Sequence, residues 1–234
     1  MIAFFIDQRA WLWPLISLAL FTPFSSEIDL AIANYFYQEN GHFPSNDFYT
    51  FMFNYGVLPT QLVFVAASLI FLGSYVLTKW KKWRSASLLM ILTLAIGSGL
   101  ITHALLKDHW GRPRPKQVIE FGGSQAFRPY YRPNFFHQPE PSKSFSCGHC
   151  TMGFYFFALA LVGRLLNKRW LFWLGLLLAF GLGSILSWTR MAQGGHFFSD
   201  TLASAIVMWL TAYISYKWIS SYQDAYERTH KTST

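Results

Sequence analysis

Six stretches of this chain are apolar over about twenty residues, with almost no charge in their middles. They run about 10–24, 57–77, 87–106, 148–166, 170–188 and 197–218. A segment crossing the hydrocarbon core of a bilayer needs about 20 predominantly apolar residues. Inside it, every backbone N–H and C=O must be satisfied within the protein, which leaves helices as the way to cross. The expected fold is therefore all-α, a six-transmembrane-helix bundle that occupies residues 1–234 as a single integral-membrane domain. The first stretch is short and holds Pro14 and Pro23. With Asp7 and Arg9 ahead of it and no small-x-small site behind, it reads as a retained anchor and not a cleaved signal peptide.

Charged residues make up 13% of the chain and aromatics 19%, with ten Trp. A soluble domain carries about 25% charge, whereas Trp and Tyr collect where a bilayer meets water. The net charge of +8 would suggest nucleic acid on a soluble chain. Here no folded soluble part is left to carry such a site, so no nucleic-acid partner is expected. The basic residues lie mostly between the apolar stretches and set topology instead. Arg9, the Lys79–Lys81–Lys82–Arg84 cluster, Arg164–Lys168–Arg169 and the tail residues Lys217, Arg228 and Lys231 fall on one side of a six-span chain. By the excess of Lys and Arg in cytoplasmic loops, that side is cytoplasmic.

The other side receives three segments. Residues 25–55 read as short interfacial helices, with Ser26 and Asp29 as a capping-box start and Ile28, Ile32, Tyr35 and Phe36 as a stripe packed on the membrane surface. A long loop, residues 107–146, holds six of the ten prolines and reads as irregular. A tight connection covers 191–195. The long loop departs from the charge rule, because it carries Lys107, Arg112, Arg114, Lys116, Arg128, Arg132 and Lys143. Cations gathered on the wrong side of a membrane imply an anion that holds them there.

The outer ends of spans three to six carry the residues able to do chemistry. Lys107, Arg114 and Arg190 suit a phosphate dianion. The start of span four offers free backbone N–H groups and the positive end of a helix dipole, with Gly148 allowing close approach and His149 at the same place. His196 and Asp200 are four apart and share a helix face. A carboxylate that fixes one imidazole nitrogen leaves the other free as nucleophile or base. Taken singly, each cation could merely snorkel at the interface, and each histidine could merely be hydrogen-bonded.

Together the spacings resemble the type-2 phosphatidic acid phosphatase family, whose motifs are K-x6-R-P, P-S-G-H and S-R-x5-H-x3-D. The first is intact as KDHWGRPRP, Lys107 to Pro115. The second stands as SCGH, Ser146 to His149, and the third as TRMAQGGHFFSD, Thr189 to Asp200. The resemblance implies a membrane lipid phosphatase in a bacterial inner membrane, with its site facing the periplasm. It implies His196 as the nucleophile that becomes a phosphohistidine, Asp200 as its orienting partner, and His149 as acid and then base. Lys107, Arg114, Arg190 and the Gly148 N–H would hold the phosphoryl oxygens, with no metal and no cofactor. Cys147 stands where the family has Ser. It either substitutes as a weaker donor to phosphate or only packs, leaving the contact to the backbone.

Cys147-Gly-His-Cys150 also spells a C-x-x-C of disulfide-exchange type. No soluble βαβ unit accompanies it, and two cysteines are too few for a disulfide scaffold. Phe121-Gly122-Gly123 resembles bacterial members of the family that act on lipid A. Phosphatidylglycerol phosphate and undecaprenyl diphosphate remain open as substrates. So do transfer of the phosphoryl group to a second lipid and, in another class, a non-catalytic anion-binding membrane protein or transporter.

Overall fold

A computed structural model describes residues 9–136 and 142–231; Asp7, Pro139 and Pro141 lie outside them. Among the described residues there is no β-strand, only two isolated bridges. Nine α-helices follow in order: α1 Leu12–Phe21, α2 Ser25–Phe36, α3 Asp47–Tyr55, α4 Leu58–Gly73, α5 Arg84–Leu92, α6 Gly148–Phe154, α7 Phe157–Leu165, α8 Arg169–Ala192 and α9 Phe198–Lys231. Between α5 and the long loop the chain continues as a π-helix, Thr93–Lys107.

Among the described residues, five helical runs are long and apolar enough to cross a membrane: Leu12–Phe36, Asp47–Gly73, Thr78–Lys107, Arg169–Ala192 and Phe198–Ala225. The fourth expected span differs, because it is split into α6 and α7 at Tyr155–Phe156. These two short helices are the most enclosed part of the molecule, with Tyr155, Phe156, Ala158, Ala160 and Leu161 all buried. They pack along α8. The contact is backbone-close at Gly153, where a Cβ would lie 2.4 Å from Gly183 Cα. Small residues at such crossings allow tight van der Waals packing, the main attraction left between helices in lipid.

The first span also differs from its expected form. It does not stop at Phe24. A 3-10 turn, Thr22–Phe24, joins α1 to α2 as one run, and α2 has no side-chain cap. Its buried residues are Ser25, Asp29, Ala33 and Phe36, so α2 packs on α8 and α9 and not on the membrane surface. Of the expected stripe, Phe36 is buried in the bundle while Tyr35 is exposed on its outside.

The two ends of the bundle separate cleanly by chemistry. At one end, Lys82 and Lys168 both lie over the Trp83 ring, at 5.8 and 5.4 Å, and Gln223 donates to Ser85 Oγ at 2.9 Å. The basic turn after α4, the basic turn after α7 and the tail of α9 therefore meet. The opposite end gathers the C-terminus of the π-helix, the N-termini of α6 and α9, the C-terminus of α8, and the long loop. That loop has 3-10 turns but no α-helix among its described residues.

Candidate active site

His196 sits in the connection between α8 and α9, immediately before the first turn of α9, and is 3% exposed. Its Nδ1 is 3.6 Å from Asp200 Oδ2, too long for a hydrogen bond without the tightening that substrate brings. Nε2 is the nitrogen left facing away from the carboxylate. Burial holds the His196 pKa down at about 4 despite the opposing pull of Asp200, so the imidazole is neutral at pH 7 and its lone pair is available.

Asp200 itself is held from three sides. Ser144 Oγ donates to Oδ2 at 2.6 Å, the Phe197 N–H donates to Oδ2 at 2.8 Å, and Arg112 Nη1 donates to Oδ1. Arg112 is fully buried. Its Nη2 donates to Asp29 Oδ2 at 2.7 Å, its Nη1 also to Ser199 Oγ at 2.7 Å, and its Nε to the Arg128 carbonyl at 2.9 Å. Ser199 closes the network, donating to Asp29 from its N–H at 2.8 Å and from its hydroxyl at 2.6 Å. Arg112 is thus committed to carboxylates, and Lys143 pairs with Asp108 at 3.1 Å. The cations of the long loop are not all reserved for an anion.

Three other cations are brought together. Lys107 ends the π-helix, Arg114 follows in the loop, and Arg190 lies in the last turn of α8. Each lies within electrostatic reach of the other two. The Nε atoms of Arg114 and Arg190 are buried without a hydrogen-bond partner among the described residues. Burial depresses the Arg114 pKa. Nearby Lys116 is held below the usual lysine range by burial, then by the charges of Arg114 and Arg190. Cations crowded together, with two buried guanidinium donors unmet among the described residues, make this end of the bundle strongly electropositive.

His149, in the first turn of α6, lies near Arg190, His196 and Lys107. Its ring stacks flat on Phe53, with centroids 4.6 Å apart, and Arg190 lies over the same Phe53 ring at 4.8 Å. Gly148 is required for a reason of space. A Cβ there would come 2.6 Å from His103 Nε2, on an imidazole whose Nδ1 donates to the Ser98 carbonyl at 2.7 Å.

Cys147 does not stand as a thiol. It is bonded to Cys150 across the first turn of α6, and its sulfur also caps the helix by accepting the Cys150 N–H at 3.2 Å. A thiol hydrogen bond to phosphate is therefore unavailable at this position, and the backbone N–H groups are left to serve. The preceding Ser146 hydroxyl is buried without a partner.

Asp29, Arg112, Ser144, Ser199, Phe53 and His103 are the parts that motif reading missed. Asp29 had a signal: a carboxylate inside a membrane-crossing apolar run demands a partner. Ending the first span at Phe24 places it outside that run.

All three motif segments therefore meet at one end of the bundle, in the order and spacing that the family prescribes. Residues 86–224 match the PAP2 superfamily. The chain belongs to the PAP2 superfamily. Its relatives include the lipid A 4'-phosphatase of Francisella tularensis subsp. novicida (strain U112), 32% identical over 193 residues, covering 81% of this chain and 85% of that protein. The lipid A 4'-phosphatase of Rhizobium leguminosarum is 54% identical over 35 residues, 15% of each chain. That of Rhizobium etli is 53% identical over 34 residues, 14% of this chain and 13% of that protein. No solved structure matches the chain. The PAP2 match contains Lys107, Arg114, His149, Arg190, His196 and Asp200. It leaves out residues 9–85, which contribute Asp29 to the carboxylate network and Phe53 to the stack on His149.

Proposed function

We propose that this chain is a single-domain membrane phosphatase that moves the phosphoryl group of a lipid phosphomonoester first to His196 and then to water. The observation that carries this reading is the pair of buried, unmet guanidinium donors on Arg114 and Arg190, beside Lys107 and a neutral, carboxylate-backed His196. The cations and the N–H groups at the start of α6 hold the phosphoryl oxygens. His196 Nε2 bonds to phosphorus as the ester P–O bond breaks, and His149 gives its proton to the leaving oxygen. The arriving dianion supplies the charge that favours His149 as an imidazolium. In the second half His149 takes a proton from water, whose oxygen bonds to phosphorus as the N–P bond breaks, and inorganic phosphate leaves. Pre-organised cations already aimed at the developing charge supply the stabilisation, so the reaction runs without a metal.

The relatives carry the name lipid A 4'-phosphatase, which makes a lipid A-type glycolipid the substrate to test first. Phosphatidylglycerol phosphate and undecaprenyl diphosphate are the competing lipids. The chain sits in a bacterial inner membrane with six spans, α6–α7 being the fourth, and the site opens to the periplasm.

A test uses lipid carrying labelled phosphate, quenched during turnover. An acid-labile, base-stable label on the protein is expected, absent from His196→Gln, with turnover in that variant reduced about 10³-fold or more. Activity should survive EDTA and stop with vanadate. Near-normal turnover by His196→Gln would remove the assignment.

A further inference from the structure

A cavity of about 750 Å³ opens directly beside the cations, and the phosphoryl transfer described above leaves most of it unused. Its place relative to the chemistry is defined by shared residues. Arg190 lines it, and so does Phe53, whose ring lies flat on His149. If His149 protonates the leaving oxygen, the group bonded to that oxygen projects past Phe53 and into this space.

The walls state what kind of group fits. Tyr37, Phe43 and Phe121 form a packed aromatic wall with ring centroids 5.3–5.7 Å apart. The Tyr37 hydroxyl lies over Gly122, where a Cβ would come within 3.1 Å of it. That hydroxyl and the side chains of His42, Ser45 and Lys116 line the cavity without a hydrogen bond to another described residue. An acyl chain would strand these polar groups. A three-carbon glycerol unit would leave most of the volume wet, since pockets for drug-sized ligands span roughly 300–1,000 Å³. Aromatic side chains interleaved with donors and acceptors suit a ring that has C–H faces and a hydroxyl-rich edge.

We propose that this cavity seats a sugar ring that bears the phosphate, and that Tyr37, Phe43 and Lys116 select glycosyl phosphates over glycerol phosphates. The proposal rests on the phosphatase reading above and goes beyond it by naming the residues that choose the substrate. Most of the wall, Tyr37 to Ser45 and Phe53, lies outside the stretch that matches the PAP2 superfamily. The catalytic end of the site is thus common to the family, and the selecting end belongs to the N-terminal part of this chain.

The full-length protein in detergent micelles is assayed for phosphate release from an acylated hexose monophosphate, phosphatidic acid and a prenyl diphosphate. Wild type is expected to favour the hexose phosphate in kcat/KM by about 10²-fold or more. Tyr37→Phe and Lys116→Ala should each lower that preference by about tenfold, the scale of one lost hydrogen bond to substrate. A merely structural role would lower rates on all three lipids together and leave the ratio alone. An unchanged ratio in both variants overturns the proposal. So does a wild-type preference for phosphatidic acid or the prenyl diphosphate, with the phosphatase reading intact. Release from none of the three overturns both.

Discussion

Arg112 has no exposed surface, and its guanidinium ties three parts of the chain together: Asp29 on α2, the Arg128 carbonyl in the long loop, and Ser199 with Asp200 on α9. Removing one partner of a buried ion pair leaves the other charge uncompensated, at a cost of about 3–5 kcal/mol. Asp29→Asn and Arg112→Met should each lower the unfolding midpoint in detergent sharply. Arg112→Lys should fail to rescue, because one ammonium cannot reproduce the planar fork. A midpoint unchanged by Asp29→Asn would contradict the network. His196 makes a different prediction, about pH. Its folded pKa of about 4 lies below the unfolded value of about 6.5, so in between only the unfolded chain binds the proton. Stability is full above about pH 6.5 and falls as pH drops toward 4, by on the order of 3 kcal/mol. A pH series of unfolding midpoints on wild type and His196→Gln checks the sign, since the variant should lose that part of the slope. At this scale the sequence placed His196 and Asp200 by spacing alone. The motif spacing singled out Arg114 for the site, but it left Arg112, two residues earlier in the same Arg-Pro-Arg-Pro run, among the cations held for an anion, because its carboxylate partners come from segments far away in the chain.

At the scale of elements, the proposed phosphate seat rests on the first turn of α6, which is bridged by Cys147–Cys150 and closely approached by His103 on the π-helix. Such π-helical segments recur at functional sites, and here one carries Lys107 at its C-terminus. Misplacing a catalytic group by about 1 Å can cost 10²-fold in rate. Reduction of the bridge, confirmed by counting free thiols by mass, should therefore lower turnover by about tenfold to 10²-fold. Cys150→Ala should behave like the reduced protein and be insensitive to reductant. Full activity of the reduced wild type would mean that the backbone alone holds the turn. The C-x-x-C spacing was visible in the sequence. Whether two thiols bond depends on the separation of their Cα atoms, here 5.3 Å, and that is set by the turn.

For the whole molecule, the basic turns that meet around Trp83 lie opposite the end that carries His196. A reporter fused after Thr234 should read as cytoplasmic, and one inserted near residue 124 as periplasmic. The reverse result at either position would invert the proposed orientation. Insertion tolerance near Ser124 itself follows from its place in a loop, where backbone can be lengthened with least loss of packing.

The long apolar stretches determined that this chain is a bundle of membrane helices, since length and lack of charge are local properties that lipid imposes on each segment separately. The four-residue spacing likewise keeps His196 within 3.6 Å of Asp200, although His196 lies just before α9 and not on it, because four residues of chain cannot carry the two far apart. Helix continuity was decided by tertiary contact. The first run continues past Phe24 because α2 buries Asp29 against Arg112, while the fourth run breaks at Tyr155–Phe156, in the most enclosed part of the bundle. Tertiary packing likewise decided which cations face the site and which neutralise carboxylates. The same packing placed residues 37–53 beside Arg190 as the wall of a cavity. Those contacts join residues far apart in the chain, 83 positions for Asp29 and Arg112 and 88 for Arg112 and Asp200, and no local pattern records them.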